Sequence, residues 1–275
     1  MFRASFRVGH GLAWADMMRE YDVADEVEAW VPPADHRVLL GMLTPSSNTV
    51  LEPVCAELLR DWPGISTHFA RFRVTSIALD DRSLGQFELA PMLDAAGLLA
   101  DARVRTICWN GTSASWLGLQ ADERLCEAIT ARTGIAATSS VLALIALCRR
   151  NNVSRLGLVT PYTADVQARI VATLRGAGIE CVAERRLDIA DNFSFSLVSP
   201  ERLTAMIREV AAARPDAIMV LCTNLAAAPL APALEQETGI LILDSVSAAL
   251  WDSLRLAGVD PARLSTFGRL FATPG

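Results

Sequence analysis

Leu40-Gly-Met-Leu-Thr-Pro-Ser46 recurs about 116 positions later as Leu156-Gly-Leu-Val-Thr-Pro-Tyr162. Both copies are apolar runs, typical of buried strands, that break into polar, turn-forming residues. A second matched pair of strand-to-loop junctions, at Gly111 and at Cys222, has an offset of about 111 positions. Two matched features at nearly the same offset indicate an internal repeat, and therefore two similar halves.

Predicted strands and helices alternate along the chain. Strands are expected at Val38–Leu43, Ile65–Phe72, Val104–Trp109, Ile135–Thr138 and Leu156–Val159, and helices at Ser83–Asp101, Ala121–Thr133 and Val141–Asn151. This order predicts an α/β fold of two pseudo-symmetric Rossmann-like domains, with parallel sheets flanked by helices. Ligands of such sheets bind at the carboxyl ends of the strands, so we expect the active site where the two halves face each other.

The predicted domain boundaries follow the repeat. Residues 1–36 are expected to form an N-terminal arm that precedes the regular pattern. Residues 37–152 form the N-terminal α/β half, which the C-terminal segment 245–275 is expected to rejoin. Residues 153–244 form the C-terminal α/β half.

The composition excludes several classes of function. The net charge of −6 argues against a nucleic-acid surface, and no apolar run approaches the length of a membrane span. The chain has no lysine, which excludes the usual pyridoxal-phosphate chemistry. The cysteines and histidines show no metal-ligand spacing, so we expect no metal. No secretory signal is visible, and we expect a cytoplasmic protein, with a homo-oligomer left open.

Cys222 is the predicted reactive residue. It ends a β-rich run, directly before Thr223-Asn224 and a predicted helix whose N-terminus would lower the thiol pKa. The alternative is that it is a small buried hydrophobic residue. We interpret the remaining cysteines that lie inside predicted elements as core, and these are Cys55, Cys126, Cys148 and Cys181.

Hydroxyl-rich loops follow the other predicted strands. Gly111-Thr112-Ser113 can hold a carboxylate or an enolate oxygen with hydroxyls and backbone N–H groups, or it can cap a helix. Thr44-Pro-Ser-Ser-Asn-Thr49 and Thr160-Pro-Tyr-Thr163 are either donor-rich binding loops or turns. Tyr162 offers a phenolic donor in the second of these loops.

Five motifs resemble the aspartate/glutamate racemase superfamily, in the branch that contains maleate cis-trans isomerases and arylmalonate decarboxylases. They are Thr44-Pro-Ser-Ser-Asn48, Gly111-Thr-Ser113, Thr160-Pro-Tyr162, Cys222-Thr-Asn224 and Gly268-Arg-Leu-Phe271, within about residues 38–271. The resemblance implies a cofactor-independent, metal-free enzyme that acts on a small carboxylic or dicarboxylic acid. Its active site would lie in the cleft between two pseudo-symmetric α/β domains.

The resemblance also implies roles for single residues. Cys222 corresponds to the second catalytic cysteine of the family, and Tyr162 to the tyrosine of its sites. Thr112 and Ser113 would hold charged oxygens of the reacting acid. The expected substrate-binding residues are Pro45, Ser46, Asn48, Gly111, Asn192, Thr223 and Asn224.

Gly111 departs from the two-cysteine pattern of the isomerases and racemases. Their first catalytic cysteine falls at this position, whereas the decarboxylases also have Gly-Thr-Ser and keep only the second cysteine. The sequence therefore predicts a decarboxylase that forms an enediolate from a small acid, with Cys222 as proton donor. The alternatives are an isomerase or racemase that uses Cys222 with Cys108 or a hydroxyl, and a non-catalytic ligand-binding homologue. The isomerase-like Ser46-Ser47-Asn48 loop leaves an aliphatic substrate open.

Overall fold

A computed structural model describes residues 34–274 of the chain. The predicted arm over residues 1–36 lies outside this range, except for a 3₁₀ turn at Ala34–His36. Between residues 34 and 274 we find no helix that is both long enough and apolar enough to cross a membrane.

The first half contains a four-stranded parallel sheet with the strand order β2-β1-β3-β4. Its strands are β1 Val38–Pro45, β2 Ile65–Phe72, β3 Thr106–Trp109 and β4 Ala136–Ser139. Its helices are α1 Leu51–Leu59, α2 Asp81–Gly85, α3 Leu89–Asp101, α4 Ala114–Leu117, α5 Leu119–Thr133 and α6 Ser140–Arg150. The central strands β1 and β3 are buried almost throughout, which explains why they read as continuous apolar runs.

The second half repeats this arrangement with the strand order β6-β5-β7-β8, again all parallel. Its strands are β5 Arg155–Thr160, β6 Glu180–Arg186, β7 Ala217–Val220 and β8 Leu241–Asp244. The later helices are α7 Ala164–Gly176, α8 Pro200–Ala211, α9 Ala231–Thr238 and α10 Ser245–Leu256. Further 3₁₀ turns lie at Phe193–Leu197, Ala228–Leu230, Pro261–Phe267 and Arg269–Ala272.

The shared strand order shows that the repeat in the sequence is a repeat in the structure. The structural repeat includes the last strand of each half, because both strands end in a residue whose side chain caps the following helix. Ser139 Oγ accepts a hydrogen bond from the N–H of Leu142, and Asp244 Oδ1 accepts one from Ser247. The predicted fold class of two α/β domains with parallel sheets is confirmed.

Helix α10 follows the last strand of the second half but packs against α6 and the sheet of the first half. The hydroxyl of Thr106 in β3 donates to the carbonyl of Ser253 at 3.4 Å. The hydroxyl of Thr138 in β4 donates to the carboxylate of Asp252. The chain therefore crosses back to the first half after residue 244, whereas the domain boundaries themselves stay a prediction.

The single helix predicted over Ser83–Asp101 is wrong, because the structure has two helices there. Asp80 caps α2 by accepting a hydrogen bond from the N–H of Ser83 at 2.9 Å, and α2 ends at Gly85. The chain then extends at Glu88, whose ψ is 145°, before α3 begins. The break lets Phe87 turn into the interior between the halves, as described below.

Gly41 in β1 and Gly157 in β5 occupy matching positions in the two halves. The space for a side chain at Gly41 is smaller than the space at Gly157. A Cβ at Gly41 would lie 2.9 Å from Val104 Cγ2 and 3.1 Å from the carbonyl oxygen of Thr106, whereas at Gly157 the nearest atom is 3.2 Å away. Because the crowding at Gly41 includes backbone, we expect Gly41→Ala to lower the free energy of unfolding by about 1–3 kcal/mol. We expect a smaller loss for Gly157→Ala in urea unfolding, and an equal or larger one would contradict this explanation.

Candidate active site

The carboxyl ends of the central strands of both sheets meet around one small cavity. Its volume is about 20 Å³, which is enough for roughly one water molecule. A substrate therefore requires its walls to move apart. The lining residues come from all four matched junctions and from two further segments, and they are Pro45, Val74, Ile77, Phe87, Trp109, Gly111, Thr112, Ser113, Trp116, Tyr162, Asn192, Cys222 and Thr223.

A second, larger hollow of about 630 Å³ is lined by polar residues between Arg73 and Pro91. It contains none of the junction residues and none of the cysteines. Because size alone does not supply chemistry, we assign the candidate active site to the smaller cavity.

Two hydroxyl groups from opposite halves meet in this cavity. The Thr112 hydroxyl, at the start of α4, is 2.5 Å from the phenolic oxygen of Tyr162, which follows β5. Tyr162 is 2% exposed, and burial raises the pKa of its phenol well above the usual value. Both groups therefore keep their protons, and because one O–H donates to the other oxygen, the pair offers one remaining O–H to a charged oxygen of a bound acid unless their mutual bond opens.

Cys222 lies at the end of β7, buried beside Tyr162. Its sulfur accepts a hydrogen bond from the N–H of Asn224 at 3.3 Å. Burial raises the pKa of the thiol to about 12, against the opposing effects of this N–H and of the Tyr162 phenol. The expected helix N-terminus is wrong: no α-helix follows within the next eight residues, because α9 begins at Ala231. Cys222 is therefore a protonated thiol across the physiological pH range.

Gly111 faces the indole of Trp109 instead of open space. A Cβ on Gly111 would lie 2.0 Å from Cζ2 of Trp109, far inside any real contact distance. Trp109 is 1% exposed, and its indole N–H donates to Ser113 Oγ at 3.4 Å. The indole thus fills the position that a side chain at residue 111 would need.

Buried amides join the two halves at the floor of the cleft. The side-chain amide of Asn48 donates to both the carbonyl and the hydroxyl of Thr223, each at 3.1 Å. The Thr223 hydroxyl in turn donates to the carbonyl of Asn110 at 2.9 Å. Asn224 accepts from the N–H of Thr49 at 3.0 Å, so the loops after β1, β3 and β7 are tied together.

The structure places the predicted substrate-binding residues at different depths. Pro45, Gly111, Asn192 and Thr223 line the cavity with the catalytic candidates Thr112, Ser113, Tyr162 and Cys222. Asn48 and Asn224 lie behind the wall, with their side chains in hydrogen bonds between the halves. Ser46 exchanges hydrogen bonds with the backbone of Val74 and lines a separate surface hollow. Their roles toward a substrate stay predictions.

One wall of the cavity was missed by sequence reasoning. Val74, Ile77 and Phe87 come from the segment between β2 and α3, and Trp116 comes from α4. The Trp116 ring packs edge-on against Tyr162, with centroids 5.2 Å apart, and against Phe87, with centroids 6.0 Å apart. Two tryptophans close to the Gly111 junction, in a chain with 6% aromatic residues, were the available signal.

The cavity holds one cysteine among the described residues. Cys108, the alternative partner of Cys222, is buried within β3 and does not line the cavity. Burial raises the pKa of Cys108 well above the usual value, so it is an inert core thiol. Within the described range, no group of three His, Cys, Asp or Glu side chains is placed to hold a metal ion.

Comparison with known proteins identifies the family. The model of the arylmalonate decarboxylase family matches residues 49–271, which is most of the chain. The chain belongs to this family. The resemblance to the maleate isomerase and arylmalonate decarboxylase branch of the aspartate/glutamate racemase superfamily is thereby confirmed.

Relatives of both activities are similar to this family member. A maleate isomerase from Nocardia farcinica is 27% identical over 241 residues, covering 84% of this chain and 94% of the relative. The arylmalonate decarboxylase of Bordetella bronchiseptica is 26% identical over 235 residues, covering 84% and 95%. Sequence identity alone does not choose between the two reactions.

Solved structures show the same fold. A Cys-to-Ser mutant of the Nocardia farcinica maleate isomerase, with a covalently bound succinylcysteine intermediate, superposes with a TM-score of 0.78 at 26% identity. The match covers 86% of this chain and 99% of that one. An arylmalonate decarboxylase structure has a TM-score of 0.67 at 23% identity over 86% of this chain and 99% of the other.

A buried carboxyl group behind the cavity makes folding depend on pH. Asp122 of α5 is 2% exposed, borders a cavity of about 30 Å³ with Trp109 and Ser113, and burial raises its pKa to about 7. In the unfolded chain this pKa is about 3.9. The folded state therefore holds the proton more tightly, and this contribution to stability, full below about pH 3.9, is lost as the pH rises through 7.

The asparagine side chain of the Asp122→Asn variant cannot ionise. The melting temperature of the variant minus that of the native protein is therefore expected to increase as the pH rises from 5 to 8. Thermal unfolding at several pH values measures this difference. Asp94→Asn, at an exposed position, is the control and should give a constant difference. A constant difference for Asp122→Asn would contradict the prediction.

Proposed function

We propose that this protein is a cofactor-independent decarboxylase of malonate-like acids that protonates its enediolate intermediate on one face. Loss of CO₂ leaves the electron pair of the broken C–C bond in a planar enediolate. The thiol of Cys222 then transfers its proton to the α-carbon. The resulting thiolate regains a proton from solvent, so atoms and charge balance over the cycle.

The contact between Gly111 and Trp109 carries this proposal. A racemase, or an isomerase with two cysteines, needs a second reactive group on the opposite face of the substrate carbon. At residue 111 a side chain would overlap the indole of Trp109, at 2.0 Å from Cζ2. One available thiol on one face supports a reaction that needs one proton donor.

The donors around the cavity suit an enediolate. The hydroxyls of Thr112, Ser113 and Tyr162 come from two strand-to-loop junctions on opposite halves, which bring them to one cavity before a substrate binds. Such preorganised donors stabilise developing negative charge by roughly 2.7–4 kcal/mol each. In the proposed mechanism they hold the carboxylate that remains, which becomes the charged half of the enediolate.

The apolar wall supports departure of the other carboxylate. Val74, Ile77 and Phe87 offer no hydrogen bonds to a charged group, whereas neutral CO₂ loses nothing in contact with them. A carboxylate placed against this wall is less stable than in water, and its loss as CO₂ relieves that cost. The aromatic rings of Phe87 and Trp116 in this wall also favour a substrate with an apolar substituent over a purely aliphatic diacid.

A maleate isomerase is the second candidate, because relatives with that activity are as similar as the decarboxylase. Cys222 would then act as a nucleophile on the double bond. In the closed, ligand-free cavity burial raises the pKa of the Cys222 thiol to about 12, which leaves little thiolate for that role. The state of the thiol therefore favours proton donation.

Cys222→Ser is expected to lower kcat for malonate decarboxylation by roughly 10²–10⁴, because a proton donor in the transition state is lost. The assay incubates the protein with phenylmalonate, maleate and chiral acids in D₂O and follows CO₂, fumarate and α-deuteration. Cys181→Ser, at a partly exposed site outside the cavity, is the control and should keep full activity. Full turnover by Cys222→Ser would refute the mechanism, and fumarate without CO₂ would establish the isomerase instead.

Gly111→Cys alone is expected to lose stability by roughly 1–3 kcal/mol or more, because its Cβ overlaps the Trp109 indole. Combining it with Trp109→Leu frees space for a thiol on the second face. With a malonate whose α-carbon carries two different substituents besides its carboxylates, the double variant should racemise the product acid and exchange its α-hydrogen in D₂O, measured by chiral chromatography and NMR. Trp109→Leu alone is the control, and racemisation by a stable Gly111→Cys single variant would show that Trp109 does not block this face.

A further inference from the structure

The indole N–H of Trp116 is a buried donor without a hydrogen-bond partner among residues 34–274. Trp116 is 5% exposed and forms part of the cavity wall. A buried donor that is left unpaired costs free energy, so such groups are rare and call for an explanation.

The other buried tryptophans of the described chain differ in this respect. Trp109 donates its indole N–H to Ser113 Oγ at 3.4 Å. Trp251 donates to the carbonyl of Thr273 at 3.1 Å, away from the cavity. Trp109 and Trp116 both line the cavity, and of these two the Trp116 indole is the one whose N–H has no acceptor in the described chain.

Trp116 is held next to the groups that we propose to bind the enediolate. Its backbone N–H bonds to the carbonyl of Ser113 one turn earlier in α4, at 3.1 Å. Its ring packs edge-on against Tyr162 and Phe87. This packing holds the indole in the cavity wall, where its N–H is shielded from bulk solvent.

We propose that the Trp116 indole N–H donates a hydrogen bond to an oxygen atom of the bound substrate. The inference rests on the proposed function and extends it, because Trp116 becomes a further substrate-binding residue. The substrate then carries an acceptor oxygen besides the carboxylate held by Thr112, Ser113 and Tyr162. That oxygen belongs either to the departing carboxylate or to the substituent on the α-carbon.

The two possible acceptors of the Trp116 N–H have different consequences for the reaction. A bond to the departing carboxylate stabilises the ground state but not CO₂, so its loss would weaken binding and raise kcat. A bond to an oxygen of the substituent persists through the reaction. Its loss would raise KM and leave kcat unchanged, for substrates that have such an oxygen.

Trp116→Phe tests the proposal, because it removes the N–H and keeps an aromatic ring. In the ligand-free protein we expect a smaller fall in melting temperature than for Trp251→Phe, since both variants lose buried ring atoms but Trp116→Phe breaks no existing hydrogen bond. In a Cys222→Ser background, where turnover is expected to be slower by roughly 10²–10⁴, calorimetry should show binding weakened by roughly tenfold. The probes are phenylmalonate, phenoxymalonate and maleate. If Trp116→Phe weakens the binding of all three probes, the Trp116 N–H bonds to a carboxylate. If it weakens the binding of phenoxymalonate alone, the N–H bonds to the oxygen of the substituent.

Trp251→Phe is the matched control, because its N–H already has a partner in the folded protein. It should lower the melting temperature and leave binding unchanged. The proposal is overturned if Trp116→Phe lowers the melting temperature as much as Trp251→Phe does, or if the dissociation constants for all three probes are unchanged. Absence of binding of every probe to the parent protein would also overturn it. Tight binding without CO₂ release by the native protein would reject the proposed decarboxylation and leave the Trp116 result valid.

Discussion

The hydrogen bonds of Asn48 with Thr223 are the contact on which the candidate site depends. They join the carboxyl edges of two sheets that otherwise form separate layers, and every polar atom they use is buried. A buried amide that loses its partner costs about 1–3 kcal/mol, so these bonds hold the two loops together in the ligand-free protein. Asn224 adds another bond across the cleft by accepting from the N–H of Thr49, and its amide donates to the carbonyl of Asn192 within the second half.

The close approach of the two halves in the ligand-free protein also affects the chemistry of the Cys222 thiol. Because the halves meet closely, Cys222 and Tyr162 are shielded from water, and burial raises the pKa of both. A thiol exposed at the same strand end would ionise more readily and be a better nucleophile. Close packing of the halves therefore favours a proton donor over a nucleophile, without any change in the identity of the cysteine.

The sequence predicted what local patterns encode and missed what depends on contacts across the cleft. The repeat of Leu40-Gly41 and Leu156-Gly157 predicted two similar halves, because a strand and its following turn are local. The helix expected after Cys222 is absent, since Asn224 uses its side chain to bond across the cleft instead of starting a helix. The break between α2 and α3 at Phe87 lies between Gly85 and Pro91, a local signal that the predicted single helix overlooked. The fit of Trp109 over Gly111 requires coordinates.

Trp109 explains how a symmetric fold can support an asymmetric reaction. A glycine alone at residue 111 would leave a gap opposite Cys222, and a gap beside polar groups admits water. Water there could protonate an enediolate from the second face and scramble its configuration. The indole fills that gap with a fixed apolar surface, at 2.0 Å from where a side chain would begin. The proposed one-face reaction therefore needs both a glycine at residue 111 and a filled space beside it, because the second face must be dry as well as lacking an acid.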